Sequence, residues 1–172
     1  ILNADHFSRM NVKAAVTLAN RCASRVLANS EATAAAFVAA GGSPDRVRAV
    51  PYGIAAAPFL AVSDADIAAA RVALGVGDAP LLGLFGRLAE WKGQHIAIAA
   101  TAALPDVHLL LVGGAMFGED AYAESLRGRA RELGVADRVH FAGYRDDVAI
   151  LMRASDIILH TSFAAEPFGR VI

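Results

Sequence analysis

The chain is short of the residues that mark several function classes. Among 172 residues there is one cysteine, Cys22. It cannot form an internal disulfide, and it leaves no cysteine cluster for zinc. A free cysteine of this kind reads as a small packing residue in a helix. The histidines (6, 95, 108, 140, 160) show no H-x-x-x-H or similar ligand spacing. His108 and His140 fall inside expected strands and read as packed, whereas His160 lies at a strand's carboxyl end. Net charge is −1, without the basic excess of a nucleic-acid binder. No apolar run approaches the roughly 18–20 residues of a membrane-spanning helix. No signal peptide is visible, so cytoplasmic is the default compartment. The chain starts at Ile1 and ends inside what reads as a helix start, so it is expected to be a fragment of a longer protein.

What is present is a regular alternation. The hydrophobic fraction is 56%, much of it alanine, with enough Val, Leu, Ile and Phe for a buried core. Phe7, Met10, Ala14 and Leu18 recur at helical spacing and predict a helix over 3–22. Residues 25–29 read as a strand, and Ser30 as the N-cap of a helix that Gly41-Gly42 ends. A turn (43–46) and a second strand (47–50) follow. "PYGIAAAPFLAVS" (51–63), with its two prolines, reads as an interdomain linker. Beyond it, helices are expected over 64–73, 92–104, 119–133 and 146–154, and strands over 80–85, 107–112, 138–142 and 156–160. "PLLGLF" is a continuous apolar run, as for a strand covered on both faces. The alternation with short loops predicts an α/β fold with a parallel sheet and right-handed crossovers. "DAD" (64–66) has the form of a metal-binding pair, but it sits at a helix start and reads as capping and dipole complement.

In such a sheet, ligands bind outside the carboxyl ends of the strands. Four loops therefore belong together: "GRLAEWKG" (86–93), "GGAMFG" (113–118), "GYRDD" (143–147) and "TSFAAEPFG" (161–169). In the first, Arg87 and Lys92 follow Gly86. Lys92 is expected at a helix start, where a cation opposes the helix dipole and a bound anion would offset it. The pair suits a diphosphate; it also reads as two solvated surface cations. Trp91 between them either covers a ligand or packs on the next helix. "GGAMFG" lacks the lysine-serine ending of a P-loop and reads as a plain turn. Asp146 and Asp147 read as helix-start acids. Tyr144 and Arg145 lie at a strand mouth, placed to contact a base or simply the solvent. In the last loop Pro167 suits a first helical turn, Gly169 keeps backbone N–H groups accessible, and Arg170 is a second cation near a helix start. Glu166 is either a helix-start acid or an acceptor for sugar hydroxyls.

Taken together, "GRLAEWKG", "LLLVGG", "VHFAGY" and "TSFAAEPFGRVI" resemble the group-one (family 4-like) retaining glycosyltransferases of the GT-B fold. "ANRCASRVLANSE" and "VRAVPYGI" extend the likeness upstream, so it covers nearly the whole chain. The resemblance implies two incomplete Rossmann-like domains with parallel sheets. Residues 1–57 would be the end of the N-terminal, acceptor-side domain and the linker, and 58–172 the truncated nucleotide-sugar-binding domain. It implies transfer of a sugar from a nucleotide-diphosphate sugar with retained anomeric configuration, and no required metal or other cofactor. Catalytic roles would fall to Glu166, Arg87 and Lys92. The diphosphate would meet Gly86, Arg87, Lys92 and the amides around Phe168, Gly169 and Arg170. The nucleobase would lie near Tyr144 and Arg145. The partners implied are the donor and an acceptor of unknown class (glycan, lipid or small molecule), with no nucleic acid. Peripheral association with the inner face of the membrane, through the absent N-terminal domain, is a further implication.

Two departures stand out. Ala55 occupies a position where the family often has Asp. The second glutamate of the family's E-x7-E motif would fall at position 174, two beyond Ile172. Competing readings are another GT-B enzyme, such as a sugar-nucleotide epimerase or a phosphorylase, and a non-catalytic nucleotide-binding module. Because one half of the cleft is missing, the chain by itself is expected to be inactive.

Overall fold

A computed structural model describes residues 8–116 and 118–164. The expectations for Phe7, Glu166, Pro167, Phe168, Gly169 and Arg170 lie outside the described residues. The chain divides into two compact units, with the boundary between Ile54 and Ala55.

The first unit contains α1 (Arg9–Cys22), β1 (Val26–Ala28), α2 (Glu31–Ala39) and β2 (Val47–Ala49). Ser8 caps α1 by accepting from the Asn11 N–H, and Ser30 caps α2 by accepting from the Thr33 N–H. At the end of α2, Gly41 takes φ 94°. The Gly42 N–H then donates to the Phe37 carbonyl and the Gly41 N–H to the Val38 carbonyl, a Schellman ending. The Asn20 side chain donates to the Gly41 carbonyl and accepts from the Ser43 N–H, both at 2.9 Å, which ties α1 to that turn. β1 and β2 pair in parallel, Val26 opposite Val47.

Helix α1 stands where the apolar spacing predicts it, over Arg9–Cys22 among the described residues, and the reading of Cys22 as packed is corrected. The stripe that announces α1 faces outward: Met10 is 77% and Leu18 63% exposed. The helix instead buries Val16, with Val12 and Ala19 half-buried beside it. Helical spacing reveals an apolar face but not what covers it. Cys22 is exposed rather than packed. It closes the helix off the Val12–Val16–Ala19 side, so its thiol meets no core.

The second unit begins with one helical turn, α3 (Ala57–Leu60), within the stretch read as linker. Then come α4 (Asp64–Leu74), β3 (Leu81–Phe85), α5 (Gln94–Ala103), β4 (His108–Val112), α6 (Asp120–Glu132), β5 (Val139–Gly143), α7 (Val148–Ala154) and β6 (Ile157–Leu159). Ser63 and Asp66 form a reciprocal capping box on α4, so the D-A-D acids serve the helix start. The four strands are parallel, in the order β5-β4-β3-β6. Every residue of β3 is buried, as a strand covered on both faces requires. Alternation splits the core. Leu82, Leu84, Leu109 and Leu111 pack with Ile98, Leu126 and Ala130 of α5 and α6. Leu81, Phe85, Leu110 and Val112 pack on the other face with Val76 and Leu151. The α/β class with parallel sheets is thus borne out.

One side chain holds the base of this sheet. Arg71 of α4 donates to the carbonyls of Gly77 (2.8 Å), Ala79 (2.5 Å) and Ala154 (2.7 Å). It also pairs with Asp156 at 3.4 Å, whose carboxylate accepts from the Leu81 N–H at 2.7 Å. The arginine thereby fastens the starts of β3 and β6 together, at the edge opposite the four loops.

Candidate functional site

Parallel strands deliver all their following loops to one edge, and backbone bonds fasten those loops to one another. The Gly86 N–H donates to the Val112 carbonyl (2.8 Å), Leu88 to Gly114 (3.0 Å) and Gly113 to Gly143 (2.8 Å). Gly113, at φ 136°, passes so close that a Cβ there would strike the Gly86 carbonyl. On the other flank the Thr161 hydroxyl donates to the Lys92 carbonyl at 2.8 Å, and the Phe163 N–H to the Trp91 carbonyl at 3.1 Å. The loops after β4 and β6 therefore brace the loop after β3, which carries both candidate cations, and the end of β5 braces the loop after β4.

Lys92 requires a correction. It does not open α5. It ends a single 3₁₀ turn, Glu90–Lys92, and Gly93 follows with φ 73° before α5 starts at Gln94. Gly93 must pass against Thr161, where a Cβ would strike the carbonyl oxygen, so the chain turns left-handed there. Lys92 therefore stands just before the N-cap of α5 rather than in its first turn. An aromatic face stands beside it: Lys92 Nζ lies 4.5 Å and Arg87 Cζ 5.9 Å from the Trp91 ring centre. Trp91 thus gathers the two cations of the loop.

Sequence reasoning missed a set of polar groups beneath this loop. Gln94 is fully buried. Its amide donates to the Arg87 carbonyl at 2.8 Å and accepts from the Tyr122 hydroxyl at 3.3 Å. Tyr122 in turn lies 3.0 Å from His95 Nδ1. Burial pushes the Tyr122 hydroxyl above its ordinary pKa, with the nearby negative charge of Glu90 adding to that shift, so it stays a neutral donor. Glu119, the residue before α6, places Oε2 3.5 Å from Arg87 Nε. The signal that could have found Gln94 was a polar residue at an inward position of an otherwise apolar helix. Glu119 gave none, because an acid before a helix is ordinary.

The remaining candidates are placed as follows. Gly86 is half-buried between Val112 and the site cations, with φ 146°. Tyr144 is 82% exposed at the β5 mouth. Arg145 lies beside it, and its guanidinium grips Asp147 with two bonds of 2.8 and 2.6 Å. Asp147 stands at the helix start as expected, in the N-cap position of α7, but its carboxylate makes no cap bond and serves Arg145 instead. The grip holds the Asp147 carboxyl below its usual range and raises Arg145. His160 is exposed. Among the described residues no three His, Cys, Asp or Glu side chains gather as a metal site would need.

Comparison with known proteins agrees with this arrangement. The family described as "Glycosyl transferases group 1" matches residues 66–172. A lipopolysaccharide core biosynthesis glycosyltransferase, LpsE of Rhizobium meliloti (strain 1021), is 42% identical over 95 residues, covering 55% of this chain and 26% of its own. D-inositol 3-phosphate glycosyltransferase of Mycolicibacterium gilvum (strain PYR-GCK) is 36% identical over 153 residues, covering 87% of this chain and 34% of its own. The crystal structure of Anabaena Alr3699/HepE in complex with UDP-glucose superposes with a TM-score of 0.94 at 45% identity, over 99% of this chain and 47% of that one. The chain therefore spans less than half the length of each. The family match extends over more than half of the chain, and the parallel α/β architecture is that of GT-B glycosyltransferases: the chain belongs to the group 1 glycosyl transferases.

Proposed function

We propose that the protein to which this chain belongs transfers a glycosyl group from a nucleotide-diphosphate sugar to an acceptor, with retention of anomeric configuration. One observation carries the reading. Arg87 and Lys92 meet on a single indole, in a loop braced from both sides at the carboxyl edge of a parallel sheet. Two fixed cations there oppose the charge that grows on a departing diphosphate, which is the electrostatic work a dication does in other enzymes. The structural relative in complex with UDP-glucose supports a uridine donor.

In this proposal Gly86, Arg87 and Lys92 receive the diphosphate, with the amides around Phe168, Gly169 and Arg170. Glu166 accepts from the donor sugar's hydroxyls, and the base lies by Tyr144 and Arg145. Residues 1–57 close the acceptor-side domain and 58–172 form the donor side. The acceptor contacts lie elsewhere in the protein, so the chain alone would be inactive. Among the described residues no helix is long and apolar enough to cross a membrane. We place the protein in the cytoplasm, where its charged donor would be found.

Ligand-linked stability tests the reading on the full-length protein. UDP at about 100 times its dissociation constant should add roughly 2.7 kcal/mol. Arg87→Ala with Lys92→Ala should remove most of that shift. An unchanged shift in the double variant would overturn the diphosphate assignment.

A further inference from the structure

We infer that Glu119 is a positioning residue for Arg87, setting the plane of its guanidinium for the diphosphate; this rests on the donor reading above. The carboxylate has no helix duty. It holds the residue before α6 yet makes no capping bond. Its Oε2 is buried and accepts no hydrogen bond among the described residues, which is costly for a charged oxygen. Arg87 Nε stands 3.5 Å away, and both side chains are only about a quarter exposed, 26% and 24%.

The same helix reaches Arg87 a second time. Tyr122, three residues further along α6, holds Gln94, which holds the Arg87 carbonyl. The first turns of α6 therefore fix both the backbone of Arg87 and the Nε edge of its side chain. An arginine recognises phosphate oxygens through a planar fork, so the plane decides whether the contact is bidentate. A carboxylate beside the site also lowers its positive charge. If Glu119 only neutralised Arg87, removing it would tighten anion binding. Positioning predicts the opposite sign.

The experiment is a double-mutant cycle on the full-length protein. The dissociation constant is measured by calorimetry for whichever of UDP, GDP and ADP the wild type binds. Arg87→Ala should weaken binding, and Glu119→Ala should weaken it roughly tenfold, the scale for partners that orient a ligating group. Added to Arg87→Ala, Glu119→Ala should change little, since its route to the ligand is gone. Glu119→Gln keeps a polar side chain of the same shape beside Nε and guards against misfolding, and it should restore affinity to within about threefold. Tighter binding by Glu119→Ala, an equal loss in both backgrounds, or no loss where Arg87→Ala shows one would overturn the inference. Failure of the wild type to bind any of the three, or binding that ignores Arg87→Ala, would instead overturn the donor reading beneath it.

Discussion

The two units differ in how fully their central strands are covered. In the second, β3 is buried from end to end and helices cover both faces of the sheet. In the first, two short strands pair over three positions, with Leu27 of β1 exposed along with Met10 and Leu18 of α1. Among the described residues its buried apolar side chains are Val16, Ala28, Ala34 and Phe37. A two-stranded ladder with so little cover is marginal in water. The second unit has two dense core layers of its own. The contrast explains why the candidate cations belong where they are: a site needs a rigid edge, and only the four-stranded sheet supplies one among the described residues.

The largest test of this contrast compares two leucines. Leu110, with no exposure, should cost about 2–5 kcal/mol as Leu110→Ala, because a cavity adds to the lost transfer energy. Leu18→Ala, on the open face of α1, should stay within about 0.5 kcal/mol. Urea midpoints of this chain would measure both, and equal costs would break the distinction between the units. Arg71→Ala comes next, at about 1.5–3 kcal/mol. Most of this comes from the Ala79 and Ala154 carbonyls losing a charged donor. The pairing with Asp156 adds less, since that carboxylate is more than half exposed. Hydrogen exchange at the starts of β3 and β6 should accelerate in this variant, and unchanged exchange there would show that the arginine does not fasten them.

How much was legible in the sequence follows the same divide. All four strands of the second unit lie within a residue or two of where the apolar runs put them; for β3 and β4 this is because a strand buried on both faces reads as a near-continuous apolar run. The glycine and proline stops also held: Gly75 and Gly134 take left-handed φ values, and α5 ends just before Pro105. What escaped was tertiary. The outward face of α1 needed a neighbour that periodicity cannot name. The break at Gly93 depends on Thr161, 68 residues along the chain. Arg87 and Lys92 could be picked out as a pair, but Glu119 and Gln94 meet Arg87 from another loop and from below, which local spacing does not encode.

A smaller effect tests whether capping matters equally in both units. Ser30→Ala removes the bond to the Thr33 N–H and should cost about 0.5–2 kcal/mol. In the thinly covered first unit that is a larger share of the local stability. Exchange of the α2 amides should therefore respond more than exchange of the α4 amides does to Ser63→Ala. A stronger response in α4 would reverse the ranking of the units.

The smallest effect expected is a pH dependence confined to the second unit. His108 and His140 stack on neighbouring strands, with Nδ1 of the first 2.9 Å from Nε2 of the second. Burial first, and then the neighbouring His108, hold His140 below its ordinary 6.5, while Asp137 pulls the other way. Between the folded value and 6.5 the unfolded chain binds more protons than the folded one, so stability falls as pH falls through that window. Above 6.5 both states are neutral at this site, and the dependence vanishes. Amide exchange in β4 and β5 should then quicken below 6.5 while β1 and β2 stay level, and His140→Asn should flatten the response. Partial solvent exposure screens the pair and keeps the effect modest. An acid response that is equal in both units, or that survives His140→Asn, would place its origin outside His140.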